Sequence, residues 1–236
     1  MTEELAATDA YLREVDATLR SVEDGDVILD RTVFYPRGGG QPGDTGRLEW
    51  AEGSVGVTDT LKRSGSLVHV CEGELPEPGT SVRAVIDWER RHLLMRTHTA
   101  LHVLTAVIWR EFDAKVTGGN MEPGRARMDF DLESISVEFG AEVEQHLNSA
   151  LQQGHRVQVD FMPRAEALAD PHLIRTKVNL IPEFVDPIRV IVIGDIDKQA
   201  DGGTHVANTN EVGSVRVVKT ESKGKGNKRM RIELAP

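Results

Sequence analysis

The sequence predicts an α+β fold in two parts, a small N-terminal β-barrel and a second domain in which helices cover an antiparallel sheet. Three observations carry this. Short β-type runs separated by Gly, Pro and Asp turns fill residues 1–87, the hydrophobic pattern turns helical at Trp88, and strand-like runs return in the last third. A chain of 236 residues can divide into two modest domains, each with its own core. Hydrophobic residues at 39% and charged residues at 28% are ordinary for a folded soluble protein and exclude disorder.

The barrel rests on four runs: Asp26 to Asp30, Arg31 to Tyr35, Gly65 to Val70 and Ser81 to Ile86. Between them lies PRGGGQPGDTG, residues 36–46, whose successive glycines permit backbone shapes and close approaches closed to other residues. Composition alone favours a plain flexible loop. From Trp88, Leu93, Leu94, Leu101, Leu104, Val107 and Ile108 recur at threes and fours, which predicts a long helix and a boundary between residues 87 and 88. A second helix is predicted over Val137 to Gln153, stopped by Gly154, followed by strands at Arg156 to Phe161 and Ile188 to Ile193. There is no internal repeat.

No apolar run reaches the roughly 20 residues of a membrane span, and the acidic start lacks the profile of a secretory signal, so a cytoplasmic location is expected. Cys71 is the only cysteine, which excludes an internal disulfide framework and a thiolate-rich zinc site. Any metal must rest on histidine and carboxylate. The formal net charge of −10 argues against nucleic acid when taken alone. The stretch from Lys219 to Arg231, KTESKGKGNKRMR, is nevertheless basic almost throughout.

Two segments carry potential chemistry. His98 and His102, four apart in the predicted helix, share one face and can reach a single ion, although a chance HxxxH has the same spacing. In Asp201-Gly202-Gly203-Thr204-His205 the paired glycines let a loop turn tightly enough to aim Asp201 and His205 at one place; an ordinary Gly-Gly surface turn is the alternative. Together they offer four ligands, and three imidazoles with a carboxylate or water suit zinc. A zincin peptidase is excluded, since no glutamate lies between His98 and His102. His69, His92, His146, His155 and His172 have no partners at ligand spacing and are expected in packing or surface roles, and Arg127 and Asp129 are expected to pair as ions.

In order along the chain, GGGQPGDTG, HTALH, VTGGNMEPGRARMDF, GGTHV and KGKGNKRMRI resemble freestanding alanyl-tRNA editing proteins of the AlaX type. The resemblance covers nearly the whole chain, and GGTH resembles the alanyl rather than the threonyl branch of synthetase editing domains. It implies a barrel over residues 1–87 and an α/β-sandwich-like editing domain with an antiparallel sheet over residues 88–236, acting in trans on mischarged tRNA(Ala). It further implies one Zn2+ held by His98, His102 and His205, which are also the implied catalytic residues, in metal-assisted hydrolysis of seryl-tRNA(Ala) and glycyl-tRNA(Ala). The family's cysteine ligand falls on Asp201, a harder donor that weakens zinc preference and can admit other divalent ions; Asp201 can alternatively orient a water or a neighbouring histidine. Thr117 is the candidate for reading the serine hydroxyl, with a strand-filling role as the alternative, and Gly38, Gly39, Gly40 and Gln41 resemble the family's loop that contributes to amino-acid choice. Lys223, Lys225, Lys228, Arg229 and Arg231 are candidate phosphate contacts, or a solvated terminus. A tRNA-binding metal module without catalysis is the competing class.

Overall fold

The computed structural model describes residues 2–23, 25–170, 172–177, 179 and 181–235. The chain forms two compact units, Met1–Leu93 and Leu94–Pro236.

In the first unit, β1 (Glu3–Glu4) pairs in parallel with β4 (Arg31–Thr32). The strands β2 (Glu14–Glu23), β3 (Asp26–Leu29), β5 (Gly46–Trp50), β6 (Gly53–Arg63), β7 (Ser66–Glu72) and β8 (Ser81–Ile86) close into an antiparallel barrel in the order β2-β3-β7-β6-β5-β8. Alternation makes the core: Val82, Ala84 and Ile86 of β8 point inward with Val55 and Val57 of β6, Leu48 of β5 and Leu19 of β2, whereas Ser81 and Arg83 face water. The expected strand from Arg31 to Tyr35 shortens to Arg31–Thr32, because Val33, Phe34 and Tyr35 are apolar for burial and leave the ladder. Strands β2, β5 and β6 carry no clear sequence signal; polar residues interrupt their apolar positions.

The glycine-rich segment is a tight turn rather than a loose loop. Gly38 and Gln41 exchange backbone hydrogen bonds of 3.1 and 2.9 Å, and Gly39 and Gly40 have φ of 58° and 86°, where a side chain would be strained. Its far end is locked by Asp44, which accepts from the Tyr35 amide at 2.6 Å and from Arg91 Nε at 2.9 Å. Arg91, wholly buried, also donates to the carbonyls of Ala10 at 2.9 Å and Val33 at 2.7 Å.

His69 is a core histidine, with Nδ1 facing the Val27 carbonyl at 3.0 Å and Nε2 facing the Thr32 hydroxyl at 2.8 Å. Burial pulls its pKa from 6.5 down to about 4, against the pull of the Val27 hydrogen bond. Since the folded value is depressed, the neutral ring stabilises the barrel fully above about pH 6.5, and that contribution drains away as the pH falls toward 4. The loss over this window is expected to be roughly 3 kcal/mol at about 1.4 kcal/mol per pH unit. Hydrogen exchange of barrel amides from pH 7 to 4 measures it; a slope unchanged in His69→Gln would contradict the assignment.

In the second unit, α1 (Trp88–Phe112), which starts in the first, is buried on all sides from Thr97 to Ile108 rather than along one stripe. Its polar residues are therefore in the interior and need partners. The strand order β14-β15-β10-β9 joins β9 (Val116–Glu122), β10 (Arg125–Phe130), β14 (Val215–Ser222) and β15 (Lys228–Leu234) into an antiparallel sheet. Helix α2 (Val137–Gln152) is capped by Ser136, whose hydroxyl accepts from the Phe139 amide at 3.1 Å, and buries Gly140, Val143, Leu147, Ala150 and Leu151 at helical spacing. It packs on β14 so closely that a methyl group at Gly140 would meet Thr220 Cγ2 at 2.8 Å. A second sheet, in the order β11-β12-β13, holds β11 (Val157–Met162), β12 (Ile188–Ile193) and β13 (Asp197–Ala200), with the short α3 (Arg164–Ala169) after β11. No helix among the described residues is long and apolar enough to cross a membrane.

Candidate metal centre

Helix α1 and the turn after β13 bring His98, His102, Asp201 and His205 together, with one ligand atom of each lying within 4.8 Å of the others. His98 and His102 sit one helical turn apart, ring centroids 5.2 Å, and His205 lies 4.4 and 4.6 Å from them. Asp201 closes the group: its Oδ1 is 3.5 Å from His98 Nε2 and its Oδ2 is 3.1 Å from His205 Nε2. The turn holds that carboxylate, because the Gly203 amide donates to Oδ2 at 2.6 Å and Arg189 Nη1 donates to the Asp201 carbonyl at 2.9 Å.

The ring nitrogens are sorted by a surrounding layer. His102 Nδ1 lies 3.1 Å from Asp197 Oδ2, and His205 Nδ1 lies 3.2 Å from Thr99 Oγ1. The Asp197 carboxylate takes the Nδ1 proton of His102 and so leaves its Nε2 for an ion, whereas His205 Nε2 faces Asp201. Asp197 is buried, accepts from Gln199 Nε2 at 2.7 Å, and has Arg175 Nη2 at 3.2 Å. Thr99 also accepts from the Val206 amide at 3.3 Å, tying the GGTHV segment to the helix.

Protonation follows the same arrangement. Burial, reinforced by His102 and Arg189, pulls His98 down to about 4 against the attraction of Asp201. His205 is held well below the imidazole range by burial and then by His98. Burial also opposes charge on Asp201, but the facing imidazoles, His98 first, outweigh it and hold the carboxyl well below its ordinary value. His102 differs: burial works against its charge, yet the Asp197 hydrogen bond and the charges of Asp201 and Asp197 raise its proton affinity.

These donors fit a divalent ion. Two imidazoles are kept neutral and the carboxylate ionised, the forms that coordinate, and the separations approach the ~3.4 Å between donors about 2.1 Å from a tetrahedral ion. Asp197 and Thr99 gave no signal in the sequence, since their parts depend on β13 folding back against β12 and on helix-to-turn packing. Outer partners of this kind set ligand orientation, so Asp197→Asn is expected to weaken metal affinity by about 10- to 100-fold with the fold retained. Metal titration against a competing chelator measures this; unaltered affinity would remove Asp197 from the centre.

Gln41 is buried in the first unit, beside its exposed neighbours Gly38, Gly39 and Gly40. Thr117 is exposed on β9, where its hydroxyl donates to Asn227 Oδ1 at 3.3 Å. The basic tail is no loose terminus but the β14–β15 hairpin, turned by Gly224 and Gly226 at φ 122° and 63°. Lys228 is buried and its ammonium donates to the Gly224 carbonyl at 2.5 Å, so it is not available to a phosphate. Arg229 forms a two-pronged pair with Asp129, at 2.7 and 2.8 Å, and is the main partner of that carboxylate; Arg127, the partner expected from the sequence, is a weaker one at 3.3 Å. Lys223 and Lys225 are exposed, and Arg231 is half-buried, its Nε donating to Glu221 Oε2 at 2.8 Å.

A closed barrel unit and a second unit that groups three buried histidines with an aspartate define a two-part α+β class with a candidate metal site. Residues 5–90 match the family of tRNA synthetases class II (A), and residues 188–231 match the threonyl and alanyl tRNA synthetase second additional domain. The chain is 38% identical over 241 residues to alanyl-tRNA editing protein AlaX-M of Saccharolobus solfataricus, covering 100% of both. It is 37% identical to AlaX-M of Methanosarcina barkeri, covering 99% of both, and 39% identical to alanine–tRNA ligase of Pyrobaculum arsenaticum, covering 93% of this chain and 25% of the ligase. The chain belongs to the alanyl-tRNA editing protein family, AlaX.

Proposed function

We propose that this chain works in the cytoplasm as a trans-acting editing enzyme that hydrolyses the aminoacyl ester of seryl-tRNA(Ala), and of glycyl-tRNA(Ala), while sparing alanyl-tRNA(Ala). The observation that carries the reading is the convergence of three buried histidines and a part-buried aspartate from two distant segments, in a chain whose full-length relatives are named editing proteins. An alanine pocket rejects a small competitor by only about 10²-fold, so a second site that destroys the wrong product supplies the missing accuracy.

His98, His102 and His205, with Asp201, would hold the ion, with zinc the best match to three imidazoles and other divalent metals admitted by the carboxylate. Such an ion, when bound, supplies Lewis-acid polarisation and anchors the aminoacyl end. The chain's own residues do the positioning. Asp197 and Thr99 fix two ring orientations, and the Gly203 amide fixes the Asp201 carboxylate. Thr117 and the Gly38–Gln41 turn remain the candidates for amino-acid choice.

A second reading is favoured by Asp201 itself. With four protein donors the centre is closed in the manner of structural zinc sites, which fits a tRNA-binding module without catalysis. Single-turnover deacylation of seryl-tRNA(Ala) and alanyl-tRNA(Ala) by metal-loaded protein separates the two. Cleavage of the seryl ester alone supports editing; tRNA binding with no cleavage supports the module. In the same assay Thr117→Val and Gln41→Ala are expected to narrow the serine-to-alanine ratio by about 10-fold or more, and unchanged ratios in both would clear these residues of a selective role.

A further inference from the structure

The outer face of the β14-β15-β10-β9 sheet carries cations in an order that strand pairing alone does not favour. Register places Asn120 of β9 opposite Arg127 of β10, Arg127 opposite Arg231 of β15, and Arg231 opposite Lys219 of β14. Three like charges therefore stand directly across from one another in one row, an arrangement that costs stability in an isolated sheet. The row on one side is balanced: Glu122, Arg125, Glu233 and Arg216 alternate in sign. On the other side, Asp129 and Glu221 flank Arg229. Those two carboxylates are the acids that pair with the row, and each is shared: Asp129 between Arg229 and Arg127, Glu221 among Arg231, Lys219 and Lys223. Positive charge is left over on this face although the chain as a whole carries −10.

The side chains are open to solvent, Arg127 by 33%, Arg231 by 42% and Lys219 by 59%. A groove of about 270 Å³ runs over Arg127 and Arg231, lined also by Asn120, Glu122, Arg125, Glu233 and Val218, with Lys219 beyond its edge. Four strands at ~4.8 Å spacing make the row roughly 14 Å long, the scale of a short stretch of polynucleotide rather than of one small anion. Arginine forks pair with phosphate oxygens two at a time, and the Asn120 amide adds a neutral donor at the end of the row.

We propose that this row, Asn120, Arg127, Arg231 and Lys219, is a track for the phosphodiester backbone of the RNA substrate. The proposal rests on the reading that the substrate is an aminoacyl-tRNA, and it moves the phosphate contacts from the hairpin tip onto the face of the sheet. Glu221 is the electrostatic brake on the track, since it competes with RNA for Arg231 and Lys219.

Binding of uncharged tRNA(Ala) transcript to the full metal-loaded chain, measured at several salt concentrations, tests it. Arg127→Gln combined with Lys219→Gln is expected to weaken binding about 10-fold or more and to lower the salt slope by about 2, one for each phosphate no longer neutralised. Glu221→Gln is expected to tighten binding, a gain that misfolding does not produce. The charge-conserving pair Arg127→Lys and Lys219→Arg should restore the slope. Affinity and slope equal to the unsubstituted chain in both the double variant and Glu221→Gln would overturn the track. So would a parallel, equal loss of binding to polyglutamate, which would mark a general polyanion surface. Cleavage of seryl-tRNA(Ala) by the unsubstituted chain is scored separately, so a failed track with intact cleavage leaves the editing reading standing, whereas absence of both cleavage and tRNA binding defeats both.

Discussion

Replacing His98 and His102 together by alanine is expected to abolish metal uptake and deacylation while leaving the fold intact. The two rings supply half of the four converging donors from one face of α1, and the remaining pair, Asp201 and His205, lies four residues apart in a single turn. Two donors from one turn hold a divalent ion far less tightly than four, so the loss exceeds the roughly 10- to 100-fold that removal of an outer partner causes. The helix should survive, because alanine is the best helix former and the substitution relieves the burial of two polar rings. Metal analysis of protein purified without added zinc, paired with single-turnover deacylation, gives the result. Full metal content in the double variant would show that the ion sits elsewhere, and full activity without metal would detach the chemistry from the centre.

Asp44→Ala should have the largest effect on stability. Arg91 is wholly buried, and its guanidinium is compensated by the Asp44 carboxylate together with the carbonyls of Ala10 and Val33. Removing the acid leaves a buried cation without its counter-charge, which typically costs about 3–5 kcal/mol. Against a total stability of roughly 5–15 kcal/mol this is a large share. The same carboxylate pins the end of the glycine-rich turn through the Tyr35 amide, so the turn should loosen as well. Denaturant unfolding gives the magnitude, and Asp44→Leu combined with Arg91→Met, which removes both charges, should recover much of the loss. A single variant as stable as the unsubstituted chain would mean that the pair contributes nothing.

What was legible in the sequence depended on whether the signal was local. Ser81 to Ile86 read as a strand because buried Val82, Ala84 and Ile86 alternate, Ile188 to Ile193 because it is a β-branched run, and α2 read as a helix because its buried residues keep helical spacing. The four donors were visible for a similar reason, since each pair sits within one turn of chain. The hairpin of β14 and β15 was hidden by its charge: Arg229, Arg231 and Glu233 alternate with Met230 and Ile232, yet the run of cations reads as phosphate contacts or a solvated terminus rather than as a strand. Asp129 shows the general limit. Its neighbour Arg127 is two residues away, but its main partner Arg229 is brought opposite only when β10 pairs with β15, which no local pattern encodes. Asp197 and Thr99 were out of reach on the same ground.

The centre gathers nitrogen and oxygen donors only, and the one thiol of the chain is remote from them in sequence and inert in the barrel. Burial, with the charge of Asp26 adding to it, pushes Cys71 up to about 12, so at neutral pH almost none of it is the thiolate that oxidants attack. A peroxide that converts a cysteine ligand to sulfenic or sulfinic acid and so ejects its metal finds no such atom here. A cluster of imidazole and carboxylate donors thus offers such an oxidant no thiolate to attack.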